Sequence, residues 1–214
     1  MTKELKAGIL VLGAGGHGKS VVSVLLAAGT PVAGVLVDSP EKWGEQIMGV
    51  DILGPIEWLE RYPDHAAVIA IGENAARESV ALKFPEARWA NVFYPQAYIN
   101  PTARIGVGTV VFPGAIVGAD VVLGNHVIVS GNTTVGHDAI IEDYAHLAPG
   151  VQIGGEVRVG RSAMLGIGSV VCPHVRVGEA AVLGAGAVAI KDIPAGCRAF
   201  GVPALVQQAK RQIA

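Results

Sequence analysis

From Ile99 to about Ile190 the apolar positions recur every six residues. Counting from Ile99, each sixth residue as far as Leu183 is aliphatic, fifteen in succession with no insertion. Four residues further on in each hexad runs a second column that is always small or Val, from Ala103, Thr109 and Ala115 to Val175, Ala181 and Ala187. Glycine often follows the aliphatic residue, as at Gly106, Gly136 and Gly184. A period of six fits neither an amphipathic helix nor a simply alternating strand; it is a β-helix signature. Each hexad supplies one short flat strand and a corner, and three hexads close a coil of 18 residues. Fifteen hexads therefore predict a triangular prism of five coils. Its aliphatic column fills the interior, and its small column lets the backbone turn each corner.

Residues 1–95 carry a different pattern. The apolar run at residues 7–12 predicts a strand buried on both faces. It feeds into Gly13-Ala14-Gly15-Gly16-His17-Gly18-Lys19, and helical spacing follows from Ser20 to Ala28. A second strand at Val32–Val37 ends on Asp38. Strand, glycine turn, helix, strand and acid is the order of a nucleotide-binding βαβ unit. Glycines let the backbone approach a phosphate, a helix N-terminus offers unpaired N–H groups, and an acid after the second strand can accept from ribose. Gly13, Gly15, Gly16, His17, Gly18 and Asp38 are therefore the candidate nucleotide residues; a tight turn without a ligand is the plainer alternative. Further expected elements are an edge strand at Ile52–Gly54, a helix at Pro55–Tyr62, a strand at Ala67–Ile71, a helix at Glu73–Phe84 and a last strand at Ala90–Phe93. This is an α/β, Rossmann-like unit about half the size of a full dinucleotide fold, suited to a mononucleotide or the nucleotide end of a larger substrate. Residues 96–214 form the prism and its tail, with a short helix predicted from Leu205 to Ile213.

Charge and cysteines narrow the partners. A formal net charge of −2 gives no reason to expect nucleic acid or an anionic membrane. No apolar run reaches the roughly 18 residues of a membrane span. Cys172 and Cys197 make neither a disulfide framework nor a zinc cluster. A reducing, cytoplasmic setting is expected.

Four histidines fall in the repeats, His126, His137, His146 and His174, and none occupies an inward column. Each is expected at the surface or at a subunit interface. His137 is followed by Asp138, and an imidazole beside a carboxylate suits a general base near neutral pH. Gly155 lies one coil on at the same repeat position, where a missing side chain opens a groove and exposes an N–H for an oxyanion. His146 lies half a coil from His137, on another face of the prism. If both serve one site, that site lies between neighbouring subunits.

The GAGGHGK turn, Asp38, the five coils with His137-Asp138 on an outer edge and the Gly201-Val202-Pro203-Ala204 tail together resemble the bacterial sugar O/N-acetyltransferases with hexapeptide repeats. These include UDP-4-amino-sugar and GDP-perosamine N-acetyltransferases and sialic-acid O-acetyltransferases. The resemblance implies a left-handed parallel β-helix, a homotrimer, a nucleotide sugar held by the N-terminal domain and acetyl-CoA held between adjacent subunits. By the same resemblance His137 is the base and Asp138 its support, where many relatives have Glu. His146, Gly155, Gly166 and Gly184 contact acetyl-CoA, and Gly155 presents its N–H to the thioester carbonyl. Gly13, Gly15, Gly16, His17, Gly18 and Asp38 line the nucleotide site. The implied reaction is direct N-acetylation of a nucleotide-linked 4-amino-4,6-dideoxy sugar, with sugar O-acetylation as the alternative. A non-catalytic nucleotide-binding scaffold is the reading from another class. Some β-helix relatives are γ-type carbonic anhydrases with histidines paired five apart. No such pair occurs here, so no metal is expected.

Overall fold

The computed structural model describes residues 5–207. Strand β1 (Ile9–Leu12) lies mid-sheet, with Leu10, Val11 and Leu12 completely buried, as a run without polar alternation requires. It pairs in parallel with β2 (Val32–Leu36) on one side. A hairpin of β3 (Gln46–Ile47) and β4 (Val50–Gly54) continues that side of the sheet. On the other side β1 pairs in parallel with β5 (Ala67–Ile69). Chain direction thus reverses its order about β1, and the glycine turn leaves from the C-terminal end of β1 at that switch point, where α/β sheets bind ligands.

Helix α1 (Gly16–Ala27) starts inside the glycine turn, four residues before the predicted Ser20. The turn can be this tight because Gly18 has no side chain; a Cβ there would run into the carbonyl oxygen of Gly13. The predicted helix at Pro55–Tyr62 is a 3₁₀ segment, Ile56–Arg61. The hairpin strand β3 was absent from the sequence expectation, although Met48 (φ 50°) and Gly49 (φ 80°) form its left-handed turn. Helix α2 (Asn74–Lys83) matches the helix predicted there, capped by the Glu73 carboxylate.

The hexads form the triangular prism. Almost every strand is two residues long and pairs in parallel with the strand one coil away, Ile116 with Thr134 and Val117 with Val135, for example. Val111, Val129, Val135, Leu147 and Leu165 of the aliphatic column and Ala115, Ala139, Ala145 and Ala163 of the small column are all completely buried. The three faces hold six, five and eight strands. Outward residues distinguish them. The six-stranded face carries Tyr98, Ile116, Thr134, Gln152, Val170 and Val188, all uncharged (the neutral face). The five-stranded face carries Arg104, Arg158 and Arg176 (the arginine face). The eight-stranded face turns Val110 and Ile128 outward, yet both are 1% exposed because α1 lies across them with Val21, Val22 and Leu25 (the covered face).

Two expectations are corrected. Strand β6 (Val92–Phe93), expected at the end of the α/β sheet, pairs with Val110–Val111 and forms the first rung of the covered face. Leu205–Gln207, expected to be helical, is a strand antiparallel to Arg198–Phe200, and the rest of that predicted helix lies outside the described residues.

Helix α2 fastens the α/β unit to the prism. Asn74 Nδ2 donates to the carbonyl of Ser162 at 2.8 Å, Arg161 pairs with Glu78, and Ser162 Oγ donates to Glu78 Oε2 at 3.0 Å.

Candidate active site

Corners place the first cluster. From Gly108 to Gly186 every sixth residue, one in each corner, is in the left-handed region, and in the corner after Thr134–Val135 it is Asp138, with φ 59°. Asp can take that conformation at little cost. The turn folds its carboxylate back onto the neighbouring ring, so that Asp138 Oδ2 stands 2.8 Å from His137 Nδ1. The short Asp side chain makes direct contact with the ring. An ionised carboxylate can only accept, so Nδ1 carries the hydrogen and the lone pair of a neutral ring sits on Nε2. That nitrogen lies over Gly155: a Cβ built there would stand 2.6 Å from His137 Nε2 and Cε1. The Gly155 N–H makes no backbone hydrogen bond among the described residues. One coil of separation thus brings imidazole, carboxylate and a free amide to one solvent-accessible edge, with the His137 side chain 65% exposed.

The second cluster lies in the seam between α/β unit and prism. His146 projects from the covered face one coil after Ile128. Its Nδ1 is 3.1 Å from the Gly72 carbonyl oxygen, and its Nε2 is 3.5 Å from Ser130 Oγ. His17, in the first turn of α1, is tilted against Phe112 with ring centroids 5.6 Å apart and stands 6.2 Å from the His146 ring. His17 Nε2 is buried without a hydrogen-bond partner among the described residues. Burial lowers both imidazoles from 6.5 to about 4, followed for His17 by the nearby His146 and then the Arg77 charge, and for His146 by the Arg77 charge. Both are neutral at pH 7.

The structure therefore joins His146 to His17 within one chain and holds it apart from His137 and Gly155, which sit at a different corner. Gly166 and Gly184 follow the covered-face strands at Met164–Leu165 and Val182–Leu183, on the opposite edge of the neutral face from Gly155. Gly15 and Gly16 have open space where a side chain would be, and α1 has no side-chain cap and no acid in its first turn. Its leading N–H groups are thus available to an anion. Gly13, at φ 123°, sits where a Cβ would meet the Ala70 carbonyl. Asp38 accepts from the Ile56 N–H at 2.9 Å through Oδ1, which leaves Oδ2 for a ligand.

His126 corrects the surface expectation. It is 3% exposed, stacked on Tyr144 one coil away (5.4 Å, 6°) and edge-on to Trp89, because its corner lies beneath the α/β unit. His174 is exposed, 3.4 Å from Glu156. The sequence reading missed Gly72, Arg77, Phe112 and Ser130. Ser130 lies 18 residues after Phe112, a signal the coil period offers; Gly72 and Arg77 carry none. Among the described residues no group of three His, Cys, Asp or Glu could hold a metal, and no helix is long and apolar enough to cross a membrane.

Comparison with known proteins decides the family. Residues 8–84 match the family model described as the PglD N-terminal domain. A histidine-to-asparagine mutant of perosamine N-acetyltransferase from Caulobacter crescentus, solved in complex with CoA and GDP-perosamine, superposes with a TM-score of 0.91. It is 31% identical, over 97% of this chain and 100% of that one. This chain belongs to the hexapeptide-repeat sugar acetyltransferases. The acetyltransferase prism is accordingly a left-handed parallel β-helix. The acetyltransferase domain of PglB from Neisseria gonorrhoeae, in complex with acetyl coenzyme A, is 32% identical over 93% of this acetyltransferase and 98% of that chain, with a TM-score of 0.88. WeeI from Acinetobacter baumannii is 26% identical over 94% and 100%, with a TM-score of 0.86. A curated but uncharacterized protein of Acanthamoeba polyphaga mimivirus is 32% identical over 103 residues, and this acetyltransferase spans 21% of its length.

Proposed function

We propose that this acetyltransferase moves the acetyl group of acetyl-CoA to the amino group of a nucleotide-linked 4-amino-4,6-dideoxy sugar in bacterial glycan synthesis. The observation that carries the reading is the His137 edge: an imidazole held with Nε2 unprotonated, directly over an unpaired Gly155 N–H. His137 Nε2 takes a proton from the sugar amine, whose nitrogen attacks the thioester carbonyl. The new oxyanion accepts from the Gly155 N–H; a preorganised donor at that point is worth about 3 kcal/mol of barrier. Collapse breaks the C–S bond, and the proton on His137 passes to the departing thiolate. Asp138 keeps the ring in the required tautomer and offsets the charge that develops on it.

The nucleotide sugar belongs to the domain at residues 1–95. Its phosphates meet the glycine turn at Gly13, Gly15, Gly16 and Gly18, its ribose meets Asp38, and His17 lies beside the diphosphate. Acetyl-CoA belongs to residues 96–214, along Gly155, Gly166 and Gly184, with His146 facing the reactants. A solved relative, PerB from Caulobacter crescentus, holds CoA and GDP-perosamine together, so the fold can accept both ligands at once. A homotrimer in the cytoplasm is the assembly we favour. Its support is the uncharged neutral face, where Tyr98 is 54% and Ile116 45% exposed, and the placement of His137 and His146 on different faces. The two unpaired thiols suit that compartment.

The test is thiol release from acetyl-CoA with UDP-, GDP- and dTDP-linked 4-amino-6-deoxy sugars and free sialic acid, with His137→Ala alongside. Turnover of one amino-sugar nucleotide, lost in the variant, supports the reading; turnover of sialic acid alone assigns O-acetylation instead. Nucleotide binding without turnover of any of them returns the protein to the scaffold class.

A further inference from the structure

Arg77 is 1% exposed and lies at the centre of the seam. Its guanidinium donates to the carbonyls of Ile71 (3.0 Å), Gly72 (3.2 Å), His126 (2.9 Å) and Tyr144 (2.6 Å) and to Asn74 Oδ1 (2.8 Å). All five acceptors are neutral, and no carboxylate pairs with Arg77 among the described residues. A buried cation without an ion-pair partner is costly, and burial pulls this guanidinium down to about 10. Fastening two domains does not by itself require that cost, since Asn74, Glu78 and Arg161 already fasten them nearby.

The Gly72 carbonyl suggests what the cation does. Besides Arg77 Nη1, it receives the hydrogen bond from His146 Nδ1. A carbonyl oxygen can only accept, so Nδ1 carries the hydrogen. Burial and then the positive charge of Arg77 oppose a second proton on the ring, which leaves Nε2 as a lone-pair acceptor. Ser130 Oγ, at 3.5 Å, stands at the outer limit of a hydrogen bond and uses that acceptor weakly.

We propose that Arg77 is a positioning residue: by holding the Gly72 carbonyl against His146, it fixes that histidine as a neutral acceptor at Nε2, fitted to a hydroxyl or amino donor of the acceptor sugar rather than to a phosphate. The kinetic part rests on the acetyltransferase reading; the tautomer does not.

The experiment is a long-range ¹H–¹⁵N spectrum of the imidazoles in the full chain at pH 7, with His146 assigned from its loss in His146→Gln. The expected pattern for His146 is a protonated Nδ1 and an unprotonated Nε2. An Nε2–H tautomer, or a doubly protonated ring, overturns the proposal. Arg77→Lys keeps the charge and loses the fork. It is expected to blur the His146 pattern and to lower kcat/KM for the accepted amino-sugar nucleotide by about tenfold or more, while leaving the protein folded at assay temperature. An unchanged spectrum with unchanged kinetics in that variant contradicts the proposal. If Arg77→Lys does not fold, His146 variants decide. Gln can place an amide oxygen where Nε2 lies, whereas Asn reaches only the Nδ1 position, so His146→Asn is expected to lose about tenfold more activity than His146→Gln. Equal losses count against the acceptor role. No turnover by the unaltered protein with any sugar would overturn the acetyltransferase reading, while the imidazole spectrum still decides this proposal.

Discussion

A single hydrogen bond sets the chemistry of the outer edge. Because Asp138 accepts from Nδ1, the lone pair of a neutral His137 ring sits on Nε2, the atom beside Gly155 and the one to which the proposed mechanism assigns the base. His137→Ala is expected to lower kcat by about a hundredfold to ten-thousandfold with little change in affinity for acetyl-CoA, measured by steady-state kinetics and CoA titration. Gly155→Ala places a methyl group 2.6 Å from the ring and must push the base aside. We expect kcat to fall by about tenfold or more, with a melting temperature close to that of the parent. The 18-residue spacing from His137 to Gly155 made this pair legible, since the coil length converts sequence distance into a contact. The seam was not legible in that way. Gly72 lies 74 residues from His146, and no period connects them; only the docking of α2 on the covered face does.

At the scale of elements, the hexads were legible because each repeats the same two burials. Leu147 and Leu165 sit in identical, completely buried layers. Either Leu→Ala substitution is expected to cost about 2–5 kcal/mol, read from chemical denaturation. Weaker elements were misplaced where a neighbour overruled local pattern. Val92–Phe93 looks like any short strand, and it joins the prism because the unpaired edge of Val110–Val111 accepts it. Leu205–Gln207 is drawn into a strand by Arg198–Phe200 in the same manner. The seam between α2 and the covered face makes a prediction of its own. His17, His126 and His146 all fall from 6.5 to about 4, chiefly through burial. The folded state therefore binds fewer protons than the unfolded one between those values. Their stabilising effect is complete above about pH 6.5 and is lost as pH falls towards 4. For the buried His126 most of this loss falls between about pH 6.5 and pH 5. Melting temperature should drop from pH 7 to pH 5 in the parent and drop less in His126→Phe; equal drops would remove the seam from the explanation.

Across the whole molecule, the α/β unit covers one face of the prism, arginines mark the second, and the third is uncharged, the face to which the proposed trimer assigns the subunit contact. Sedimentation should give three times the 21.9 kDa of the chain, and a monomer at working concentration would contradict the trimeric assembly. The six-residue period made the prism legible, while the substrate was legible only as a class, because a glycine turn offers a phosphate only backbone N–H groups, which any nucleotide sugar could meet. The claim on which the whole account rests is acetyl transfer to a sugar nitrogen. It is tested most directly by incubating the protein with ¹³C-acetyl-CoA and the amino-sugar nucleotide it turns over, then recording the NMR spectrum of the labelled product. The account predicts a labelled amide carbonyl coupled to the N–H at C4 of the sugar; an ester carbonyl, or a sugar carrying no label, would contradict it.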